Sequence, residues 1–404
     1  MKVLHIVNKS APLPGGYVNR LENIIKNIKQ DFNIIVLTSH YSYDYEILDK
    51  ENIAENKDIR RYHTLSKSFF IYTKKIRKYA FIRLVLRRID NFVFSNYIKQ
   101  IIKIESPDII HGHSQINIAY IAYKIAKKYQ LPFLYDIHAF THDGSNIRKK
   151  VEEKRIVRKE KQLLENAANI VVLCKSQQNY IAEEFHIPVS KFTVCYNGVN
   201  RKVFYKISHN EDTRQKYNFK KEDYIVAINA SKPGEGAENF FRIIDELFSV
   251  IRNLKIIIFG AHKSRHKKNH EDLNHDKIVI FDFLNQHELN ELYNIIDLFI
   301  IPRVNTKQNQ TIVPLKHIEL MSAGTIVLVS NVGGLTEQIT DNYNGFVFKD
   351  FTSKSLMEKI VAIKNMSKEK IDNISKNAVL TAEKYNWEKN VWKLKETYSE
   401  LLLK

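Results

Sequence analysis

Three groups of residues have the types and spacing to do chemistry. The richest starts at Pro302-Arg303 and continues through Thr311-Ile-Val-Pro314-Leu315-Lys316-His317-Ile-Glu319-Leu-Met-Ser-Ala-Gly324. It ends in Val332-Gly333-Gly334-Leu335-Thr336-Glu337 and Asn344-Gly345. The pattern reads as strand, loop, helix, strand, glycine-rich turn and helix. Proline suits a helix's first turn, so the first helix begins near Pro314. Free N–H groups at that end, beside Lys316, would make an anion site. Glu319 lies one turn further in, where a carboxylate can bridge two vicinal hydroxyls of a ribose. Taken alone, it reads as a solvated helix glutamate.

The second group is Ser10-Ala-Pro-Leu-Pro-Gly15-Gly16-Tyr17, between an apolar run and a helical segment. Glycines there let the backbone approach a phosphate. The spacing is not that of a dinucleotide fingerprint, and plain turn chemistry accounts for such a pair equally well. The third is His111-Gly112-His113. Its spacing is ligand-like, but no third ligand accompanies it, so a strand-end pair is expected rather than zinc. The run from His262 to His270 reads as a solvated basic loop. No Ser-His-Asp order, P-loop or cysteine cluster is present.

These groups need a scaffold. The chain has 404 residues and 47.5 kDa, enough for two or three domains. Short apolar runs recur at 3–7, 33–38, 108–113, 132–138, 169–174 and 192–198, with helical periods at 18–30, 116–130 and 150–168. Runs that are apolar at successive positions read as strands buried on both faces, as in parallel sheets. The pattern restarts with runs at 224–230, 255–260, 277–283, 298–303, 325–330 and 345–348. Helices are expected at 237–253, 286–296, 314–323 and 334–341. The charged stretch 199–222 is the expected linker. The expectation is an α/β protein with two doubly wound, Rossmann-like domains and a cleft between them. The first domain spans 1–203, with a C-terminal helix at about 383–404 packing back on it; the second spans 204–382.

Cys174 and Cys195 lie in apolar runs and fit no disulfide framework, which suggests buried thiols in a reducing compartment. The N-terminus lacks the pattern of a signal peptide, and no apolar run reaches 18 residues. A cytoplasmic protein is expected, with any membrane contact peripheral.

The segment from Pro314 to Phe348 resembles the donor-binding signature of retaining glycosyltransferases of family 4, which share the two-domain GT-B fold. Gly15-Gly16, Tyr135-Asp136-Ile137-His138, Val171 to Ser176, Asn197-Gly198-Val199-Asn200 with Phe204, and Phe259-Gly260 also match in order and spacing. The resemblance implies a nucleotide-sugar donor. Glu319 would hold the ribose, and the amides of Leu315 and Lys316 the diphosphate. Gly16, next to Gly15, would approach that diphosphate from the first domain, and His138 would line the reacting centre. No cofactor or metal is implied.

Two departures stand out. The first glutamate of the family's carboxylate pair is replaced by Thr311, beside Gln310; a hydroxyl or amide there could still bond a sugar. The Arg and Lys of the cationic clamp are absent, leaving Lys232 or Arg303 to reach the phosphates. Rival readings are a GT-B-shaped sugar-nucleotide epimerase or phosphorylase, and a catalytically silent nucleotide-sugar-binding subunit.

The net charge is +18, from 63 basic and 45 acidic residues, which calls for an anionic partner. Residues 57–103 alone carry 13 basic residues and 2 acidic ones. Within 67–88, apolar positions interleave with Lys74, Lys75, Arg77, Lys78, Arg83, Arg87 and Arg88. On a helix this suits an anionic bilayer surface. A core-packed helix with a solvated basic face fits the same pattern. Nucleic acid fits least, because no reader motif is present. The expected acceptor is a lipid-linked glycan of surface polysaccharide assembly, at the inner face of the plasma membrane.

Overall fold

The computed structural model describes residues 1–11, 13, 15–39, 59–63, 79–138, 150–208, 210–230, 236–260, 276–282 and 284–403. Lys74, Lys75, Lys232, the 262–270 run and the side chain of Arg83 lie outside the described residues. Contacts divide the chain into two units, Met1–Tyr196 with Asn390–Lys404, and Asn197–Lys389.

The first unit is an all-parallel sheet of β1 (Lys2–Val7), β2 (Asn33–Thr38), β3 (Arg60–His63), β4 (Ile109–His113), β5 (Phe133–Ile137), β6 (Asn169–Val172) and β7 (Phe192–Val194). Its order is β3-β2-β1-β4-β5-β6-β7. Every residue of β4 and β5 is buried, which is why these strands read as continuous apolar runs. The chain fills one side of β1 and then crosses to the other with β4. Strand order reverses there, and the carboxyl ends of β1 and β4 diverge into the crevice where open α/β sheets take ligands. The helix Gly16–Ile28 opens at that end and buries Val18, Leu21, Ile24, Ile25 and Ile28 at helical spacing.

The helix Ala80–Glu105 has two apolar faces. Leu86, Phe94, Ile98, Ile101 and Ile102 are buried in the core, with Asp90 and Glu105. Phe81, Val85, Ile89 and Phe92 recur at intervals of three and four on the opposite side, and all are exposed.

The second unit is a parallel sheet of β8 (Tyr224–Asn229), β9 (Leu254–Phe259), β10 (Ile278–Phe281), β11 (Leu298–Ile301), β12 (Val327–Ser330) and β13 (Phe346–Phe348), in the order β10-β9-β8-β11-β12-β13. Two apolar layers cover its faces, one around Phe259, Phe299 and Met321, the other around Phe240, Leu247 and Leu356. Here the order reverses between β8 and β11.

Three expectations change. The segment 199–222 is built into the second unit and is no linker. Phe204 and Phe219 are buried, and Arg214 on the helix Glu211–Lys216 reaches the Asp297 carboxylate at 3.2 Å. The unit boundary falls at 196/197, not 203/204, because Val199 bridges to Asn386 and the Asn197 amide donates to the Val313 carbonyl at 2.7 Å. The helix expected over 237–253 is broken into Ala237–Phe241 and Ile244–Val250, where Ile243 turns inward at φ −110.

Candidate active site

In the second unit the reversal point gathers the residues of the first group. Asn229 ends β8, Arg303 follows β11, and the helix Lys316–Ser322 starts beside both. Asn229, Pro302, Arg303, Pro314 and Lys316 line a small cavity of about 30 Å³. The Lys316 ammonium donates to the Asn229 side-chain oxygen, which fixes the lysine over the carboxyl end of β8. Arg303 is buried and donates to the Ile312 carbonyl at 3.1 Å, tying the loop before the helix to β11. Leu315 precedes that helix, and its side chain does not cap the helix's free N–H groups.

Glu319 is partly exposed and sits beside Tyr293. Burial pushes its carboxyl up to about 7, against the pull of the Lys316 charge. Hydroxyls donated by a ligand would favour the charged form of that carboxyl.

Gly236 closes the site from the β8 side. It is in the left-handed region at φ +83, and a Cβ built on it would lie 1.7 Å from the Pro302 carbonyl oxygen. Only glycine lets this loop touch the end of β11.

Thr311 does not take the place of a sugar-binding glutamate. It is fully buried, and its hydroxyl donates to the Lys307 and Gln308 carbonyls at 3.2 and 3.0 Å. Neighbouring Gln310 accepts the Gly333 N–H at 2.6 Å, which ties the two motif segments together.

In the first unit the crevice holds a cluster that sequence reasoning saw only in part. His5 stands opposite His111 in the β1–β4 register, and His113 opposite Asp136 in the β4–β5 register. His138 follows β5 and donates its backbone N–H to the Ser114 hydroxyl at 3.1 Å. Its ring packs 4.7 Å from that of Tyr17, so the turn at Gly15-Gly16 and His138 belong to one site. Gly15 is at φ +142, where glycine is favoured, and caps the helix that Gly16 begins.

The pair His111 and His113 does have companions. His5 supplies a third imidazole, and Asp136 a carboxylate 3.5 Å from the His113 ring. The expectation of an isolated strand-end pair is therefore replaced by a five-residue cluster with His138. Arg20 lies 3.9 Å from Asp136. Burial works to raise the Asp136 carboxyl, yet His138 and Arg20 hold it well below the usual carboxylate range. Burial lowers the histidines, His111 to about 4. His5 and His113 go well below normal for the same reason, with His111 pushing them further. The cluster sets one carboxylate and one guanidinium beside the neutral imidazoles of His5, His111 and His113.

Nothing in the sequence singles out His5, which sits alone in an apolar run. Tyr398, whose hydroxyl lies 2.6 Å from the His111 Nδ1, is far off in sequence. Only the sheet register and the returning C-terminal helix bring them together.

Family models also divide the chain in two, with the break after residue 203, where the sequence pattern put it. Residues 14–203 match Glycosyltransferase Family 4, and residues 209–381 match Glycosyl transferases group 1. An uncharacterized glycosyltransferase of Methanocaldococcus jannaschii is 23% identical over 394 residues, covering 96% of each chain. The alpha-monoglucosyldiacylglycerol synthase of Acholeplasma laidlawii is 22% identical over 310 residues, 72% of this chain and 74% of that one. The structure of Anabaena HepE in complex with UDP-glucose aligns with a TM-score of 0.73 at 14% identity, covering 99% of this chain and all of that one. With its two parallel Rossmann-like sheets, one carrying each family's match, the chain is a glycosyltransferase of the GT-B fold, built from a family 4 domain and a group 1 domain.

Proposed function

We propose that this glycosyltransferase takes a sugar from a nucleoside diphosphate donor held by its second unit and passes it, with retention, to a lipid-linked glycan at an anionic membrane face. The surroundings would be surface-polysaccharide assembly at the inner face of the plasma membrane. The observation that carries the donor half is the grouping of Glu319, Lys316, Asn229 and Arg303 at the β8–β11 reversal point. A carboxylate for ribose hydroxyls and cations for a diphosphate stand there one helical turn apart. The UDP-glucose bound by Anabaena HepE, a protein of the same fold, supports this donor class.

In the reaction, the bond from the sugar's anomeric carbon to the diphosphate oxygen breaks as the acceptor oxygen bonds to the same face. The acceptor proton leaves with the departing diphosphate. Lys316 and the amides of Leu315 and Lys316 meet the charge that grows on that oxygen, and fixed dipoles do so without reorganising. Arg303, already placed by the Ile312 carbonyl, would add a second cation in place of the family's clamp. These cations make a metal unnecessary in this scheme, so activity is expected to persist in a chelator. His138 would line the reacting centre from the first unit.

The membrane half rests on the helix Ala80–Glu105. Phe81 and Phe92 are 77% and 66% exposed, and Val85, Ile89 and exposed Arg88 lie in the same stripe. Such a stripe inserts at the headgroup boundary, and each basic residue near an anionic surface adds about 1 kcal/mol. The glycolipid in the name of the Acholeplasma relative points the same way.

Two experiments test these halves. A panel of nucleoside diphosphates and nucleotide sugars is screened for a rise in melting temperature. At least one is expected to stabilise the parent and not Glu319→Ala; a panel without effect defeats the donor assignment. Sedimentation with phosphatidylglycerol vesicles is expected to fall for Phe81→Ser/Phe92→Ser and for Arg87→Glu/Arg88→Glu. Sedimentation equal to the parent in both would make the stripe an ordinary solvated face.

A further inference from the structure

We propose that the first unit carries a phosphate-binding groove between the helices Ile116–Lys128 and Lys150–Asn166. Its cations are Lys124, Lys159 and Arg155, and the group they take is a phosphate or diphosphate. Each helix contributes a stripe at intervals of three and four residues. Asn117, Tyr120 and Lys124 form the first, and Arg155, Lys159 and Gln162 the second. The helices pack together, and two bonds join the stripes. Lys159 donates to the Asn117 side-chain oxygen at 2.8 Å, and the Tyr120 hydroxyl donates to the Gln162 side-chain oxygen at 2.5 Å. The Lys124 and Lys159 ammonium groups lie 4.8 and 5.4 Å from the centre of the Tyr120 ring, so both lysines converge on one spot.

No carboxylate balances them. Among the described residues, none of Lys124, Arg155 and Lys159 forms an ion pair with an acidic side chain. Arg155 and Lys159 stand one turn apart on one helix face, a like-charge pair that weakens a helix. Lys159 is half-buried; burial, then the charges of Arg87, Lys124 and Arg155, holds its ammonium below the ordinary lysine range. Arg87 belongs to the helix Ala80–Glu105, which also packs against the helix Ile116–Lys128. Cations from three helices therefore repel one another, and a bound anion relieves that repulsion. A phosphate monoester carries about −1.5 to −2 and matches the patch better than a single carboxylate. Ammonium groups bind phosphate as point charges. A solvated basic face accounts for the exposed Lys127 and Lys128, but not for a half-buried lysine tied down among like charges.

The groove lies where an acceptor would need it. Asn117 comes three positions after Ser114, whose hydroxyl accepts the His138 backbone N–H at 3.1 Å. Lys124 lies seven positions after Asn117, about 10 Å along the helix at 1.5 Å per residue. Arg87 shares its helix with the exposed stripe of Phe81, Val85, Ile89 and Phe92. A lipid headgroup is thus the expected source of the phosphate. That source rests on the membrane reading above; the affinity for phosphate does not.

The test is lysine labelling of the full chain with limiting acetic anhydride, read residue by residue by mass spectrometry. At constant ionic strength, inorganic pyrophosphate is expected to slow acetylation of Lys124 and Lys159 several-fold, and chloride is not. Arg155→Gln is expected to lose much of that protection at Lys159. Phosphatidylcholine vesicles containing phosphatidic acid are expected to protect the same two lysines more than vesicles of equal charge containing phosphatidylglycerol. Protection by pyrophosphate with no preference for phosphatidic acid supports the groove, assigns it a soluble phosphate and removes the lipid source. No protection by pyrophosphate, or protection that chloride matches, overturns the groove and leaves a solvated face. Lys316 is scored separately, because its protection reports the proposed donor site and not the groove.

Discussion

Gly236→Ala is the substitution whose effect the structure specifies most fully. Its new Cβ would sit 1.7 Å from the Pro302 carbonyl oxygen, where contacts below 3.0 Å are essentially never seen. Loop and strand end must therefore part by at least the 1.3 Å difference. The obstacle is backbone, so no side-chain rotation relieves it. Holding alanine at φ +83 costs roughly 1–2 kcal/mol, and overpacking at a rigid contact another 1–3 kcal/mol. A central figure of about 3 kcal/mol in a unit of this size lowers its melting temperature by roughly 6–12 °C. The displaced backbone is Pro302-Arg303, which lines the cavity proposed to take the donor. A 1 Å misplacement of binding groups costs on the order of 100-fold in rate. Calorimetry reads the first effect and donor kcat/KM the second. A variant melting within about 2 °C of the parent, with unchanged donor kinetics, refutes the close-approach argument.

Other consequences follow from buried groups. Burial raises the Glu160 carboxyl from its ordinary 4.5 to about 8, with the nearby Tyr135 hydroxyl pulling it back. Between those values the folded chain holds a proton that the unfolded chain has lost, so stability is present below about 4.5 and declines as pH rises towards about 8. Urea unfolding is expected to show that decline in the parent and a flatter profile in Glu160→Gln; identical slopes would argue against a buried protonated carboxyl. Thr311→Val is expected to cost about 1 kcal/mol of stability, through the lost bonds to Lys307 and Gln308, while leaving donor affinity unchanged. A large rise in donor KM would return Thr311 to the sugar. Gln310→Ala frees the Gly333 N–H and is expected to destabilise by about 1–2 kcal/mol in the same unfolding assay. No loss of stability would mean that contact contributes nothing.

The parallel sheets were legible because burial on both faces writes strands as unbroken Val, Ile and Leu runs. β3 was not, since Arg60–His63 is a polar edge strand pairing with β2 alone. The segment around Arg214 looked like a linker because its charges outnumber its two anchoring phenylalanines, and pattern does not show that Arg214 is tied to Asp297. The residues proposed to hold the donor form a local motif on one helix and its flanking loop, so their grouping could be read from the sequence. The histidine cluster was half legible. Its members come from three strands and a returning helix, and nothing local in VLHIV marks His5 as opposite His111. The role of Thr311 stayed open for a related reason, because its position in the motif says nothing of the carbonyls its hydroxyl meets.

The most direct test of the account is transfer itself. The protein is incubated with membranes and a panel of radiolabelled nucleotide sugars, and label in the lipid-extractable fraction is counted for parent, Glu319→Ala and His138→Ala. Label is expected from at least one donor with the parent, with large losses in both variants. No transfer from any donor, or transfer undiminished in both variants, would contradict the assignment of the donor and reacting-centre residues.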